Sequence, residues 1–209
     1  MKKSLTIFVT ATNTDIGKTY ISVELIKRLS SKYKVAGFKP IETGVTDKAP
    51  DTLKLYESSN ISTLNIDDCI AYKYTLPAAP YIASKDIEIE YIKNKLEHLK
   101  SISDIVVVEG AGGLMVPIKK DLFYIDLINI LGIDHTLLVT PSSLGCINDT
   151  MLSINLLKSK GISFDWCVNK RDEDFEKITK SFFDDYFKKY FVYPDNFDEL
   201  VEKLKHLNC

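Results

Sequence analysis

The run Leu5-Thr6-Ile7-Phe8-Val9 leads directly into Ala11-Thr12-Asn13-Thr14-Asp15-Ile16-Gly17-Lys18-Thr19. An apolar strand that empties into a polar loop, then into a helix opened by Gly-Lys-Thr, leaves a chain few folds to choose from. Free N–H groups at such a helix start face an anion, and the helix dipole favours negative charge there. Lys18 adds a full positive charge for the β- and γ-phosphates of a nucleoside triphosphate, and Thr19 offers a hydroxyl to Mg²⁺. The common form of this phosphate loop has a glycine separated from Gly-Lys by four residues. That position is Thr12 here; the nearest small residue is Ala11, which makes the loop one residue longer.

A chain of 209 residues predicts one domain, spanning 1–209. Lys plus Arg number 27 and Asp plus Glu 29, a net charge of −2 that offers no electrostatic case for nucleic acid. No apolar run approaches the length of a membrane span. The start Met1-Lys2-Lys3-Ser4 resembles the front of an export signal, but the apolar stretch behind it is short and ends in a polar loop, so a cytoplasmic protein is expected. Cys69, Cys146, Cys167 and Cys209 form no C-x-x-C pair and read as free thiols. His98, His135 and His206 show no catalytic spacing and read as surface or packing residues.

Strand-like runs alternate with helical ones. Leu5 to Thr10, Val35 to Phe38, Ile105 to Val108, Thr136 to Val139 and Phe164 to Val168 read as strands, the last being the final clear one; Ile70 to Tyr74 is a further strand of unclear place. Helices are expected over 18–31, 51–58, 123–131 and 148–160, and across Ile89, Ile92, Leu96 and Leu99, which recur at helical spacing. The remainder from Asp172 reads as charged, aromatic and mostly helical. Fully apolar strands alternating with helices predict an α/β fold: a doubly wound, mainly parallel sheet with helices on both faces. In such sheets ligands sit beyond the C-terminal strand ends.

Polar motifs cluster at those ends. Lys39 follows the second strand in Gly37-Phe38-Lys39-Pro40, and a second lysine near a triphosphate can offset charge that builds during phosphoryl transfer. Glu109 closes the most apolar strand, where a carboxylate is expensive unless it meets a cation. Gly110, Gly112 and Gly113 behind it let the backbone approach a ligand. Asp51 suits a helix N-cap or a second acid near Mg²⁺, with Asp47 a rival for the latter task. Gly145, Cys146, Ile147 and Asn148 open a helix whose N–H groups could hold a carboxylate, and Asn169 could pair with a nucleobase edge.

Together these runs resemble the dethiobiotin synthetase family: Thr14-x-x-Gly17-Lys18-Thr19, Lys39-Pro40-x-x-Thr43-Gly44, Val108-Glu109-Gly110-Ala111-Gly112-Gly113, Leu144-Gly145-Cys146-Ile147-Asn148 and Trp166-x-x-Asn169 occur in the family's order over about residues 5 to 170. The long phosphate loop is also the family's form, with Ala11 standing where a glycine is expected. The resemblance implies an ATP-dependent ligase that carboxylates 7,8-diaminononanoate with CO₂ or bicarbonate and closes a ureido ring. It implies catalytic Lys18 and Lys39, and Mg²⁺ held by Thr19, Asp51 and Glu109. Nucleotide contacts would come from Asp15, Ile16, Gly17, Lys18, Thr19, Tyr20, Glu109, Gly110, Gly112 and Asn169. Thr14, Thr43 and Pro80 would meet the substrate. Gly145 to Asn148 would bind its carboxylate across a homodimer interface. The tail after Asn169 departs from the family's pattern, only Tyr193-Pro194 matching it faintly, which implies a looser nucleobase pocket. Partitioning ATPases share the sheet but carry a lysine where Asn13 stands.

Overall fold

The computed structural model describes residues 4–171, 173 and 175–207. Met1 to Lys3, Asp172, Asp174, Asn208 and Cys209 therefore lie outside the described residues. In chain order the strands are β1 (Leu5–Ala11), β2 (Val35–Thr43), β3 (Ile70–Tyr74), β4 (Ile105–Gly113), β5 (Pro117–Lys119), β6 (Leu122–Phe123), β7 (His135–Pro141), β8 (Phe164–Asn169) and β9 (Phe191–Tyr193). The helices are α1 (Lys18–Leu29), α2 (Pro50–Ser58), α3 (Pro80–Ala83), α4 (Ile89–Ile102), α5 (Tyr124–Ile130), α6 (Cys146–Ser159), α7 (Lys180–Tyr186) and α8 (Phe197–His206). Seven strands pair in the order β3-β2-β4-β1-β7-β8-β9, each neighbouring pair parallel. The short strands β5 and β6 form a separate antiparallel hairpin.

Alternation along the central strands sends side chains to two cores. Ile7 and Val9 pack with Ile21 and Leu25 of α1 and Leu200 of α8 on one face. Phe8, Val106 and Val108 pack with Leu96 of α4, Ile128 of α5 and Leu157 of α6 on the other. Both faces are thus covered, as the apolar strands require. From β1 the chain moves to β2 and β3 on one side and later to β7, β8 and β9 on the other, so β1 and β4 sit at the switch point where such sheets bind ligands.

Four expectations need correction. β2 does not stop at Phe38 but continues to Thr43, which puts Lys39 inside the strand. Pro40 is accommodated because pairing with β4 has ended at Phe38, leaving an edge-like position that needs no N–H. β4 likewise runs through the glycines to Gly113, which pairs with Ala11 after a register shift. A Cβ on Gly113 would lie 3.1 Å from the Thr12 carbonyl, so the glycine here serves close backbone approach. Asp51 is not the cap of α2; that position is Ala49. Finally, β8 is not the last strand. The aromatic tail adds β9, with Tyr193 opposite Asn169, besides its helices. The β5–β6 hairpin is also new; its three- and two-residue strands are too short to show a period.

Candidate active site

Gly17 takes φ +90° immediately before α1, a conformation that suits glycine. Asp15 two residues earlier is also left-handed at φ 59°, which aspartate tolerates better than most residues. Successive turns of this kind point backbone N–H groups into one concavity. Ala11 needs no such freedom, since it is a buried residue within β1. This explains why alanine can stand there.

The loop opens on a cavity of about 360 Å³. Its lining brings together Thr14, Asp15, Gly17, Lys18, Thr19, Tyr20, Lys39, Thr43, Asp51 and Gly112. Behind this lining lies a buried charge cluster. Lys39 Nζ donates to Glu109 Oε1 at 2.6 Å, to Asp51 Oδ2 at 3.1 Å and to the Gly110 carbonyl at 3.2 Å. Thr19 Oγ1 donates to the same Glu109 oxygen at 2.8 Å. Burial pulls the Lys39 ammonium down, but Glu109 and then Asp51 outweigh it and hold it above its ordinary value. Burial pushes the Asp51 carboxyl up, and Lys39 more than reverses this, leaving it below its usual range. Lys18 has the opposite balance to Lys39: burial and then the Lys39 charge lower its pKa. A group in that position favours an added anion.

Glu109 Oε2 is buried and has no hydrogen-bond partner among the described residues. An orphaned carboxylate oxygen is costly and calls for a cation. Magnesium uses one or two carboxylates and keeps the rest of its shell for water and phosphate. Glu109, Asp51 and the Thr19 hydroxyl fit that demand. Among the described residues no group of three or more His, Cys, Asp or Glu side chains is poised to hold a metal. Asp47 is exposed and does not line the cavity.

Other expected residues lie elsewhere. Ile16, Gly110, Asn169 and Pro80 do not line this cavity, nor do Gly145, Cys146, Ile147 and Asn148. Asn169 is buried and its amide donates to the Ile16 carbonyl at 2.8 Å, so it braces the phosphate loop from β8. Gly145 takes φ +95° at the start of α6. Cys146 turns inward, with its sulfur 3.7 Å from Thr179 Oγ1 and its N–H donated to Ser143. Pro80 is buried at the start of α3.

A family profile described as an AAA domain matches residues 5–177. The chain is 44% identical to an ATP-dependent dethiobiotin synthetase BioD of Sulfurovum sp. over 208 residues, 95% of this chain and 99% of that one. It is 30% identical to the protein of the same name from Wolinella succinogenes, across 95% of this chain and 97% of the relative. The chain belongs to the ATP-dependent dethiobiotin synthetase family. Against solved structures it is similar in fold to a plasmid partition protein of Borrelia burgdorferi, with TM-score 0.59, 11% identity and coverage of 99% of this chain and 97% of that one. It is similarly like the MinD cell division protein of Aquifex aeolicus, with TM-score 0.57, 17% identity and coverage of 96% and 87%. These neighbours share the sheet, as the phosphate loop implies.

Three residues of this dethiobiotin synthetase family member escaped the sequence reading. Lys54 lines the cavity one helical turn beyond Asp51, an i,i+3 relation that puts both on one face. Arg171 also lines it and donates to the Asp15 carbonyl at 2.9 Å. A Cβ on Gly17 would collide with both Asn169 and Arg171, so the two side chains close over the loop. The position of Arg171, two residues past a strand end, was the available signal. Glu42 is the third. It lies just before the cavity residue Thr43 and accepts from the start of α2.

Proposed function

We propose that this protein is an ATP- and Mg²⁺-dependent dethiobiotin synthetase, a carbon–nitrogen cyclo-ligase of biotin biosynthesis. The observation that carries the reading is the buried Lys39–Glu109 pair, with one free glutamate oxygen, set behind a phosphate loop in a chain so similar to named synthetases along its length. One amine of 7,8-diaminononanoate takes up CO₂, forming an N–C bond and losing a proton. The carbamate oxygen then attacks the γ-phosphorus, and ADP leaves. The second amine attacks the resulting carbonyl carbon, loses a proton, closes the ureido ring and expels phosphate.

The chain's residues serve these steps by position and charge. Lys18 and the loop N–H groups hold the triphosphate. Lys39, on β2 across the cavity, offsets charge on the transferring group. Thr19, Asp51 and Glu109 would hold Mg²⁺, which when bound neutralises charge across the phosphates. Thr14 and Thr43 would orient the diamine and carbamate, and Lys54 and Arg171 add positive potential at the cavity mouth. No protein nucleophile is required.

The whole chain acts as one phosphate-loop domain in this reading, and two copies make the enzyme. Leu152 and Met115 expose large apolar surface in a groove of about 430 Å³ lined also by Thr12 and Asn13, and Leu144 just ahead of α6 is exposed too. A second copy seated there would bring the start of α6, with the N–H groups of Ile147 and Asn148, toward the substrate carboxylate. Three unpaired buried thiols, Cys69, Cys146 and Cys167, support a reducing cytoplasmic location. The near-neutral charge gives no support to nucleic-acid or membrane partners.

The test is an assay for a new cyclic urea from diaminononanoate, bicarbonate, Mg²⁺ and ATP, with phosphate measured alongside. Equal amounts of urea and phosphate are expected. Phosphate release that ignores the diamine but responds to DNA or lipid would instead place the protein with the partitioning ATPases. In the same assay GTP and CTP should support turnover within about tenfold of ATP, a difference of about 1.4 kcal/mol. Strict ATP dependence would show that β9 and its surroundings form a selective base pocket.

A further inference from the structure

We propose that Glu42 is a positioning residue for the metal side of this site, acting as a cap on α2 supplied from a strand and so fixing Asp51. The proposal rests on the reading of Thr19, Asp51 and Glu109 as the Mg²⁺ set.

Helix α2 begins without a local cap. Ala49 stands at the cap position and has no side-chain acceptor, and Pro50 has no N–H to satisfy. The first free donors are the N–H groups of Asp51 and Thr52. Glu42 takes both. Its Oε1 accepts from Asp51 N at 2.9 Å, and its Oε2 accepts from Thr52 N at 2.9 Å and Thr52 Oγ1 at 2.6 Å. Glu42 is only 4% exposed, and its carboxylate sits at the positive end of the helix dipole. Asp51 is thus gripped twice from one strand: its N–H by Glu42 and its carboxylate by Lys39.

The other end of α2 is anchored independently. A Cβ on Gly37 would lie 2.7 Å from Leu55 Cβ, so the helix rests directly on the β2 backbone there. The Gly37 N–H also donates to Ser59 Oγ at 2.9 Å, and the Val35 N–H to Asn60 Oδ1 at 2.7 Å. Loss of the Glu42 carboxylate therefore frees the first turn of α2 while its far end stays docked. The Asp51 carboxylate then loses its fixed relation to Glu109.

Residues that orient metal ligands typically change metal affinity by about 10–100-fold when altered. In Glu42→Gln, Mn²⁺ affinity measured with ADP and no turnover should fall by about tenfold or more, with nucleotide affinity in metal-free buffer little changed. Combining it with Asp51→Asn should weaken Mn²⁺ no further than Asp51→Asn alone, because the one acts through the other. Should Glu42→Gln fail to fold, Thr52→Val removes one of the three contacts and should weaken Mn²⁺ by about two- to fivefold. Wild-type Mn²⁺ affinity in the folded variant, or losses that multiply in the double variant, would overturn the role of Glu42. A wild-type protein that takes up no Mn²⁺ with ADP would overturn the metal set itself.

Discussion

Around β1, β2 and β4 the sheet carries charge on its inside. Lys39 and Glu109 are almost inaccessible, and Lys18 nearly so. Around β8 and β9 the interior is aromatic instead. Trp166 packs against Phe183, Phe187 and Tyr190 with ring centroids 5.0, 4.8 and 5.1 Å away. The first region is held by donors and acceptors that must meet at defined distances. The second is held by filled volume. A region of the first kind tolerates little change, because a lost partner strands a buried charge. A region of the second kind accepts substitutions that preserve size.

The largest effect is expected at the charged centre. Lys39→Met leaves Glu109 buried without its cation and should lower unfolding free energy by about 3–5 kcal/mol in denaturant titration. A loss below about 1 kcal/mol would show that the pair is not held as described. Next, Lys18→Gln should reduce kcat/KM by about 2–4 kcal/mol of transition-state stabilisation while the fold persists. Steady-state kinetics beside a melting curve would check both halves of that statement.

Acid should expose the same contrast. The Asp51 carboxyl lies below its usual range because Lys39 outweighs burial. Its stabilising effect is therefore complete above the ordinary carboxyl pKa and is lost as pH falls through the lowered value. As pH falls below the ordinary carboxyl range, the melting temperature should fall less steeply in Asp51→Asn than in wild type. Parallel slopes would contradict the pairing. The smallest effect belongs to the aromatic edge: Phe187→Leu should cost under about 1.5 kcal/mol and leave kcat unchanged. A drop in kcat there would mean that the edge reaches the chemistry.

This contrast also governs what could be read before the fold was seen. Gly17, Lys18 and Thr19 were legible because a nest of N–H groups needs that order of residues at a strand-to-helix junction. Glu109 was legible because a lone acid at the end of Ile105-Val106-Val107-Val108 demands a cation. Glu42 was not, since its partners come from a helix that begins eight residues later. Asn169 was noticed, but its amide holds the Ile16 carbonyl, a contact across 153 residues that no local pattern encodes. β9 escaped because three residues, Phe191 to Tyr193, are too few to show alternation among so many aromatics.

The most direct test of the charged centre is a crystal structure with a non-hydrolysable ATP analogue, Mg²⁺ and diaminononanoate. The triphosphate should lie in the turn from Gly17 to Thr19, with Mg²⁺ on Glu109 and the terminal phosphate between Lys18 and Lys39. A triphosphate bound elsewhere, with Lys39 still closed on Glu109 and Asp51 and that turn empty, would contradict the account.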